Sequence, residues 1–559
     1  MVNVFEKCSW KMYIVYIAKN NTILKRCFMK AYINAKIYTM DIECPEASYL
    51  IVNESRIIET GCSFDDSSYR SRLTIEDIID LEGRVVVPSF WESHLHIVDG
   101  LRSLEELNLR SISSLEELEK AIASYVDRIG VNEWVIGHGW DEEKLFGGKF
   151  PDRQLLDKLH SEHPVMLIRM DGHSLCLNTK AIDMMQIERL QASSEISLDN
   201  EGIPTGMLFE NAANEVMQNI VKSFSEEYIE KLVLRAQELF LQNGISSVND
   251  ICTFYGRYFD IYRKLQKSGK LKMRITTAPY GIDVESLEEF DARKCDETDV
   301  LRIAAPKLFM DGSFGSRTAL LSEAYADATG SYGLQLIERE QLKEVILQNE
   351  TLNQPITIHA IGDKAVNIVL DCIEQTRVHN HRDIRNRIEH IQIVQDYDVD
   401  RFKALDVTAS FQPVFLYEEE LTLARLGQER FPMIYRFKSF LDRGANVVLN
   451  SDFPYGGGTM PLKLDNSKYI GFEPILGMHA ACYKQLNPPE SIEPMQALQC
   501  YTSNAAFVNY REKELGKLKK DYFADFIVLS ADILICSPEE LLRTEVIYTF
   551  INGELVYQK

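Results

Sequence analysis

Residues 85–96 read Val85-Val86-Val87-Pro88-Ser89-Phe90-Trp91-Glu92-Ser93-His94-Leu95-His96. The apolar run predicts a buried strand, and its end carries two imidazoles in alternate positions. In a strand, residues i and i+2 point the same way, so His94 and His96 face one side together. Seven further apolar runs follow at intervals: ISSVNDIC from Ile245, MRITTAPYG from Met273, RIAAPKLFMDG from Arg302, PITIHAIGD from Pro355, RNRIEHIQ from Arg385, DVTASFQP from Asp406 and NVVLNSDFP from Asn446. Helical periods lie between them, the signature of βα units around a parallel sheet. With the first run they make eight, the number that closes a (β/α)8 barrel of the TIM type, so the expected class is α/β. About 140 residues separate the first two runs, far more than one helix needs, so an inserted subdomain is expected over about 101–240.

The two ends of the chain have a different texture. Residues 29–88 and 505–559 hold short strand-like runs such as KAYINAKIYTM, ADFIVLSAD and EVIYTFINGELVYQK, punctuated by Asn, Gly and Asp. They predict one composite β-sandwich built from both termini and flanking a barrel over 89–504. Residues 1–28 stand apart, with five basic residues and one acid. They read as a disordered extension or an alternative start, with Met29 as the working beginning and a targeting role as the weaker alternative.

Of 559 residues, 45% are hydrophobic and 26% charged, enough apolar material for a large core. The net charge of −23 repels phosphate backbones and anionic membranes, which argues against nucleic acid or a membrane as partner. No apolar run reaches the roughly 18 residues of a spanning helix. Eleven cysteines without a C-x-x-C pair read as reduced thiols in a cytoplasmic setting, with Cys252, Cys372 and Cys482 in apolar surroundings as plain core.

Chemistry-bearing residues fall at the ends of the strand runs, where barrel enzymes keep their catalytic groups. His94 and His96 end the first, His359 the fifth, His390 the sixth and Asp452 the eighth; Lys307 sits in the fourth. Taken singly each is weak, but four of eleven histidines sharing this placement reads as a metal centre. Imidazole and carboxylate donors suit zinc, with manganese or iron left open. Arg317 and Ser316, just after the fourth run, are candidates for anchoring a polar substrate group. Asp311 reads as support behind the ligands, and Glu210 as a solvated helix start. Phe411, Phe415, Tyr417, Phe431 and Tyr435 follow the seventh run as a pocket lining or as core. His138, His160, His163, His379, His381 and His479 carry no assigned role.

The stretches PSFWESHLH, GHGWDEEKLFGGKFPDR, RMDGHSLCLNT, GIPTGMLFENA, KLFMDGSFGSRTALL, IHAIGDKAV, RIEHIQ and YTSNAA resemble the amidohydrolase superfamily, in the branch that holds N-substituted formamide deformylase. The likeness departs at Ser89–Glu92 and at Phe453–Tyr455. It implies a barrel, a small β-sandwich and a metal hydrolase centre. It implies further that His94 and His96 hold one metal ion and His359 and His390 a second, two zinc ions being expected, that Lys307 bridges them as a carbamate, and that Asp452 binds metal and acts as general base. Trp140 and His173 would face the pocket from the insert as substrate-binding residues, with Arg317. The reaction expected is attack of a metal-activated hydroxide on an amide, N-acyl or N-formyl C–N bond of a small molecule. Hydrolysis of another carbonyl or ester bond by the same centre is the alternative, and an inactive binding relative a remoter one. No G-x-S-x-G elbow supports a serine hydrolase, and no G-x-G-x-x-G a nicotinamide enzyme. A homodimer is left open.

Overall fold

The computed structural model describes residues 29–65, 77–130, 133–190, 195–253, 257–279, 297–377, 383–456, 469–484 and 486–559. The extension 1–28, His379 and His381 lie outside the described residues, as does the side chain of Cys252. Cys372 and Cys482 are buried, as expected of thiols in apolar surroundings.

Two parallel sheets form the centre of the molecule. Phe90–Leu95, Ile245–Thr253, Arg274–Pro279 and Leu301–Ile303 make one of four strands. Lys307–Phe309, Thr357–Ala360, Arg387–His390, Thr408–Phe411 and Val447–Leu449 make one of five. Helices such as Arg257–Lys267, Arg339–Thr351 and Asp363–Thr376 carry crossovers between parallel neighbours. Helix Glu226–Gln242 begins where Ser225 Oγ accepts from Tyr228 N, and it buries Ile229, Leu232, Val233, Ala236 and Phe240 at helical spacing.

The single ring of eight strands expected from the sequence is not what the hydrogen bonds make. The fourth run divides, its first half pairing with Arg274–Pro279 and its second with Thr357–Ala360. Pro306 stands at the division and has no N–H to give a ladder. Among the described residues the ladders therefore form two sheets and no closed barrel, while the α/β class and the parallel order stand. At the opposite side the first strand meets the chain that follows Val447–Leu449. Asp452 N donates to His94 O at 2.8 Å and His96 N to Phe453 O at 2.9 Å.

Between the first two central strands the chain builds a six-stranded sheet of its own from Leu107–Asn108, Val135–Trp140, Val165–Arg169, Ser174–Leu177, Ile196–Leu198 and Pro204–Phe209, followed by helix Glu210–Lys222. Both ends of the chain contribute to another six-stranded sheet. There Phe526–Leu529, Val546–Ile551 and Glu554–Gln558 join Val85–Pro88, Lys36–Tyr38 and Glu46–Ala47. A four-stranded sheet of Met29–Ile33, Tyr49–Asn53, Arg56–Gly61 and Ile78–Asp80 shares its core, with Tyr32 set edge-on to Phe526 and Phe550 at 5.0 and 5.1 Å between centroids.

Candidate metal centre

The ends of the central strands bring the sequence-predicted donors to one cavity, lined by His94, His96, Lys307, His359, His390 and Asp452. His94, His390 and Asp452 each offer a ligand atom, and these atoms lie within 4.8 Å of one another. His94 Nε2 is 3.2 Å from Asp452 Oδ1, and His96 Nε2 is 3.1 Å from the same oxygen. The rings of His359 and His390 stand 4.3 Å apart.

Behind three of these rings the protein commits one nitrogen. His94 Nδ1 donates to Glu389 Oε2 at 2.7 Å, His390 Nδ1 to Gln412 Oε1 at 2.8 Å, and His359 Nε2 to Gly312 O at 3.0 Å. That fixes the tautomer and leaves the opposite nitrogen of each ring with its lone pair, the arrangement a metal ligand needs. Glu389 is in turn paired with Arg387 at 2.7 Å. The donor set of neutral imidazoles, a carboxylate and Lys307 fits one or more divalent cations.

The electrostatics agree with that fit. Burial holds His359 and His390 well below the usual imidazole range, and the Lys307 charge adds to this in both. Burial raises Asp452, but His94, His96 and His390 outweigh it and hold the carboxyl well below its ordinary value. Burial likewise opposes ionisation of Glu389, and Arg387 with His94 overcomes it. These are buried groups in the charge states that ligands require. His390 and Asp452 both have left-handed backbone, at φ 78° and 55°. Non-glycine residues adopt it only where the surrounding structure enforces it, and such positions gather at functional sites.

Asp311 stands behind the ligands, as the sequence suggested. Its carboxylate accepts from Leu320 N, Ile361 N and Gly362 N, while burial pushes it up to about 7. It ties the loop after Lys307–Phe309 to the turn that follows Thr357–Ala360, the strand carrying His359.

The wall facing these residues comes from the segment between the first two strands. His173 lines the cavity, its ring 5.0 Å from that of His359, with Asp171 and the Asn214, Met217, Gln218 and Val221 face of helix Glu210–Lys222. Three expectations part from this picture. Trp140 does not reach the cavity: it is wholly buried, donates from Nε1 to Leu167 O at 2.9 Å, and packs against Phe146. An indole this large is spent on the core of the six-stranded sheet. Arg317 turns to Asp327 at 2.8 Å and lines no part of the cavity, and Ser316 serves Asp171. Glu210 is not solvated but buried against His173. Of the five aromatics after the seventh run, Phe415 and Tyr435 line an adjoining cavity, and Phe411 packs on Phe437.

Sequence reasoning missed Glu389, Gln412, Asp171 and Tyr455, the last lining the cavity with its ring 4.9 Å from that of His96. It also missed a buried network in which Glu142 takes Arg169 at 2.9 Å and Arg425 at 3.0 Å, with Asp171 and Asp327 at its ends. A usable signal was present at one of these: Arg169 interrupts the apolar run VMLIRM from Val165, and a buried charge demands a partner.

Comparison with known proteins adds to the geometry. Residues 77–557 match the family described as "Amidohydrolase family". The Arabidopsis thaliana protein LONG AFTER FAR-RED 3 is 30% identical over 94% of this chain and 91% of its own. An N-substituted formamide deformylase from Arthrobacter pascens is 25% identical over 94% of this chain and 98% of its own. The crystal structure of an uncharacterised metal-dependent hydrolase from Pyrococcus furiosus superposes with a TM-score of 0.69, at 31% identity, over 90% of this chain and all of the other.

Proposed function

The chain belongs to the amidohydrolase family, and on that premise we propose that it is a metal-dependent hydrolase of a non-peptide C–N bond in a small N-acyl or N-formyl amide. The observation that carries this reading is the convergence of His94, His390 and Asp452 ligand atoms within 4.8 Å at the cavity floor. The formamide deformylase of Arthrobacter pascens supports the choice of bond. His94, His96, His359, His390 and Asp452 would hold up to two divalent ions, zinc by donor type, with Lys307 as a carbamate between them. A divalent cation held there supplies Lewis acidity toward a carbonyl oxygen and toward water.

The chain's own residues do the rest. Asp452 is the carboxylate placed to take a proton from attacking water and return it to the leaving nitrogen. Glu389 and Gln412 keep His94 and His390 in the ligating tautomer. His173 meets the scissile group from the wall. The two central sheets correspond on this reading to the halves of a (β/α)8 barrel over 89–504, the segment 101–240 to its insert, and the terminal sheets of 29–88 and 505–559 to a β-sandwich.

The test is a panel of N-formyl, N-acetyl and cyclic amides, assayed for amine release, with elemental analysis of the same protein. Chelation should abolish turnover, and zinc or manganese should restore it. A metal-free preparation with full activity would overturn the proposal.

A further inference from the structure

We infer that Glu210 is a positioning residue. It fixes the ring of His173 so that Nε2 meets the scissile group of the substrate, and the two side chains work as one unit. This deepens the reading above and rests on it for the identity of the reaction.

The pairing starts in the backbone. Ser174–Leu177 and Pro204–Phe209 run antiparallel with Ser174 opposite Phe209, so the next pair outward is His173 with Glu210. Glu210 N donates to His173 O at 2.8 Å, and His173 N donates to Asp171 Oδ1 at 3.1 Å. The ring is then fixed at its Nδ1, 2.7 Å from Glu210 Oε2. Main chain and side chain of His173 are thus held from three directions before any substrate arrives.

Three features show that the fold accommodates this pair at some expense. Glu210 opens helix Glu210–Lys222 at φ 43°, a left-handed backbone in a non-glycine residue. It is 2% exposed, so the carboxylate has left water for the imidazole instead of capping its own helix. Gly312 makes the room: a Cβ there would lie 2.2 Å from Glu210 Oε1. The carbonyl of that same glycine takes the Nε2 hydrogen bond of His359. One glycine therefore touches both the carboxylate that sets His173 and the ring that His173 faces.

A histidine buried only for packing satisfies both ring nitrogens. Here Nδ1 is committed to Glu210, and Nε2 has no protein hydrogen-bond partner among the described residues. The ring lines the same cavity as His94, His359 and Lys307. A polar atom held rigidly at the edge of the floor is suited to orient the bond being cleaved.

The experiment uses the full, metal-loaded chain and the variants His173→Ala, Glu210→Leu, Glu210→Gln and His173→Ala with Glu210→Leu. Steady-state rates are measured on the best N-formyl or N-acetyl amide of the panel, with metal content and thermal unfolding recorded for each. His173→Ala and Glu210→Leu should each lower kcat by roughly ten- to a hundredfold, with KM moving less and metal content unchanged. The double variant should be no worse than the poorer single one, because the pair acts as a unit. Glu210→Gln keeps an oxygen for the Nδ1 hydrogen and should retain most of the rate. Losses that multiply in the double variant, or wild-type kinetics in Glu210→Leu, would overturn the inference. A second measurement stands apart from turnover: with ¹⁵N-labelled histidine, the His173 Nδ1 proton should be protected from exchange in the wild type and lost in Glu210→Leu. If no amide is hydrolysed, the functional reading fails by itself; the Nδ1 proton then decides the pairing, and its absence in the wild type overturns it.

Discussion

The floor and the wall of the cavity are built on different principles. On the floor, His94, His359 and His390 each spend one nitrogen on the protein and keep the other, and those of His94 and His390 converge with Asp452. Behind the wall, charges spend themselves on one another, as Arg169, Glu142 and Arg425 do in full burial. The first arrangement keeps coordinating capacity in hand, and the second uses it up to hold shape. The difference teaches that conserving lone pairs, rather than crowding polar residues, marks the reacting side of such a cavity.

Four substitutions would break or sharpen the contrast. The largest effect belongs to the floor: His94→Ala should cut turnover by about a thousandfold or more and lower bound metal, with the far-ultraviolet circular dichroism unchanged, since removing a ligand disables the site without opening the core. A variant that kept both metal and rate would erase the distinction. Next comes Trp140→Ala, which should destabilise the fold by about 3–5 kcal/mol in urea titration, as truncation of a fully buried indole does, and leave KM on the amide panel where it was. A changed KM at unchanged stability would return Trp140 to the substrate. Lys307→Ala should lower metal content and reduce activity by roughly a hundredfold, and formate or propionate should restore part of both by standing in for a carbamate. Full two-ion occupancy with intact activity would show that the lysine is no bridge. The smallest effect is expected of Arg317→Ala: under about 1 kcal/mol in stability and no change in KM, because Arg317 is partly exposed and Asp327 keeps Arg425 as a partner.

The floor was legible in the sequence because its residues are placed by local rules. Strand alternation brings His94 and His96 to one side, and the end of a short apolar run marks His359, His390 and Asp452. The eight runs were legible for the same reason. The wall was not, since its geometry comes from pairings across distance: Arg425 reaches Glu142 over 283 positions, and Glu210 finds His173 only because two antiparallel strands place them opposite each other. Trp140 was misread because resemblance carries a residue's neighbourhood in the chain and not the direction of its ring. The division at Pro306 was visible in RIAAPKLFMDG, yet an apolar run with one proline reads as continuous until its two halves are seen to pair with different neighbours.

The sheet assembled from both ends of the chain has a consequence for the order in which the molecule is made. Val85–Pro88 lies beside Phe526–Leu529, and Lys36 reaches Asp532 across 496 positions. A ribosome delivers the first of these partners long before the second. The early strands must therefore wait with an open edge until nearly all of the chain has emerged, while the central strands and helices between them can already pack. During that interval Val85, Val86 and Val87 present an unpaired apolar edge, the kind of surface that recruits strands from other nascent chains. Closure of this sheet therefore waits on strands that are made last.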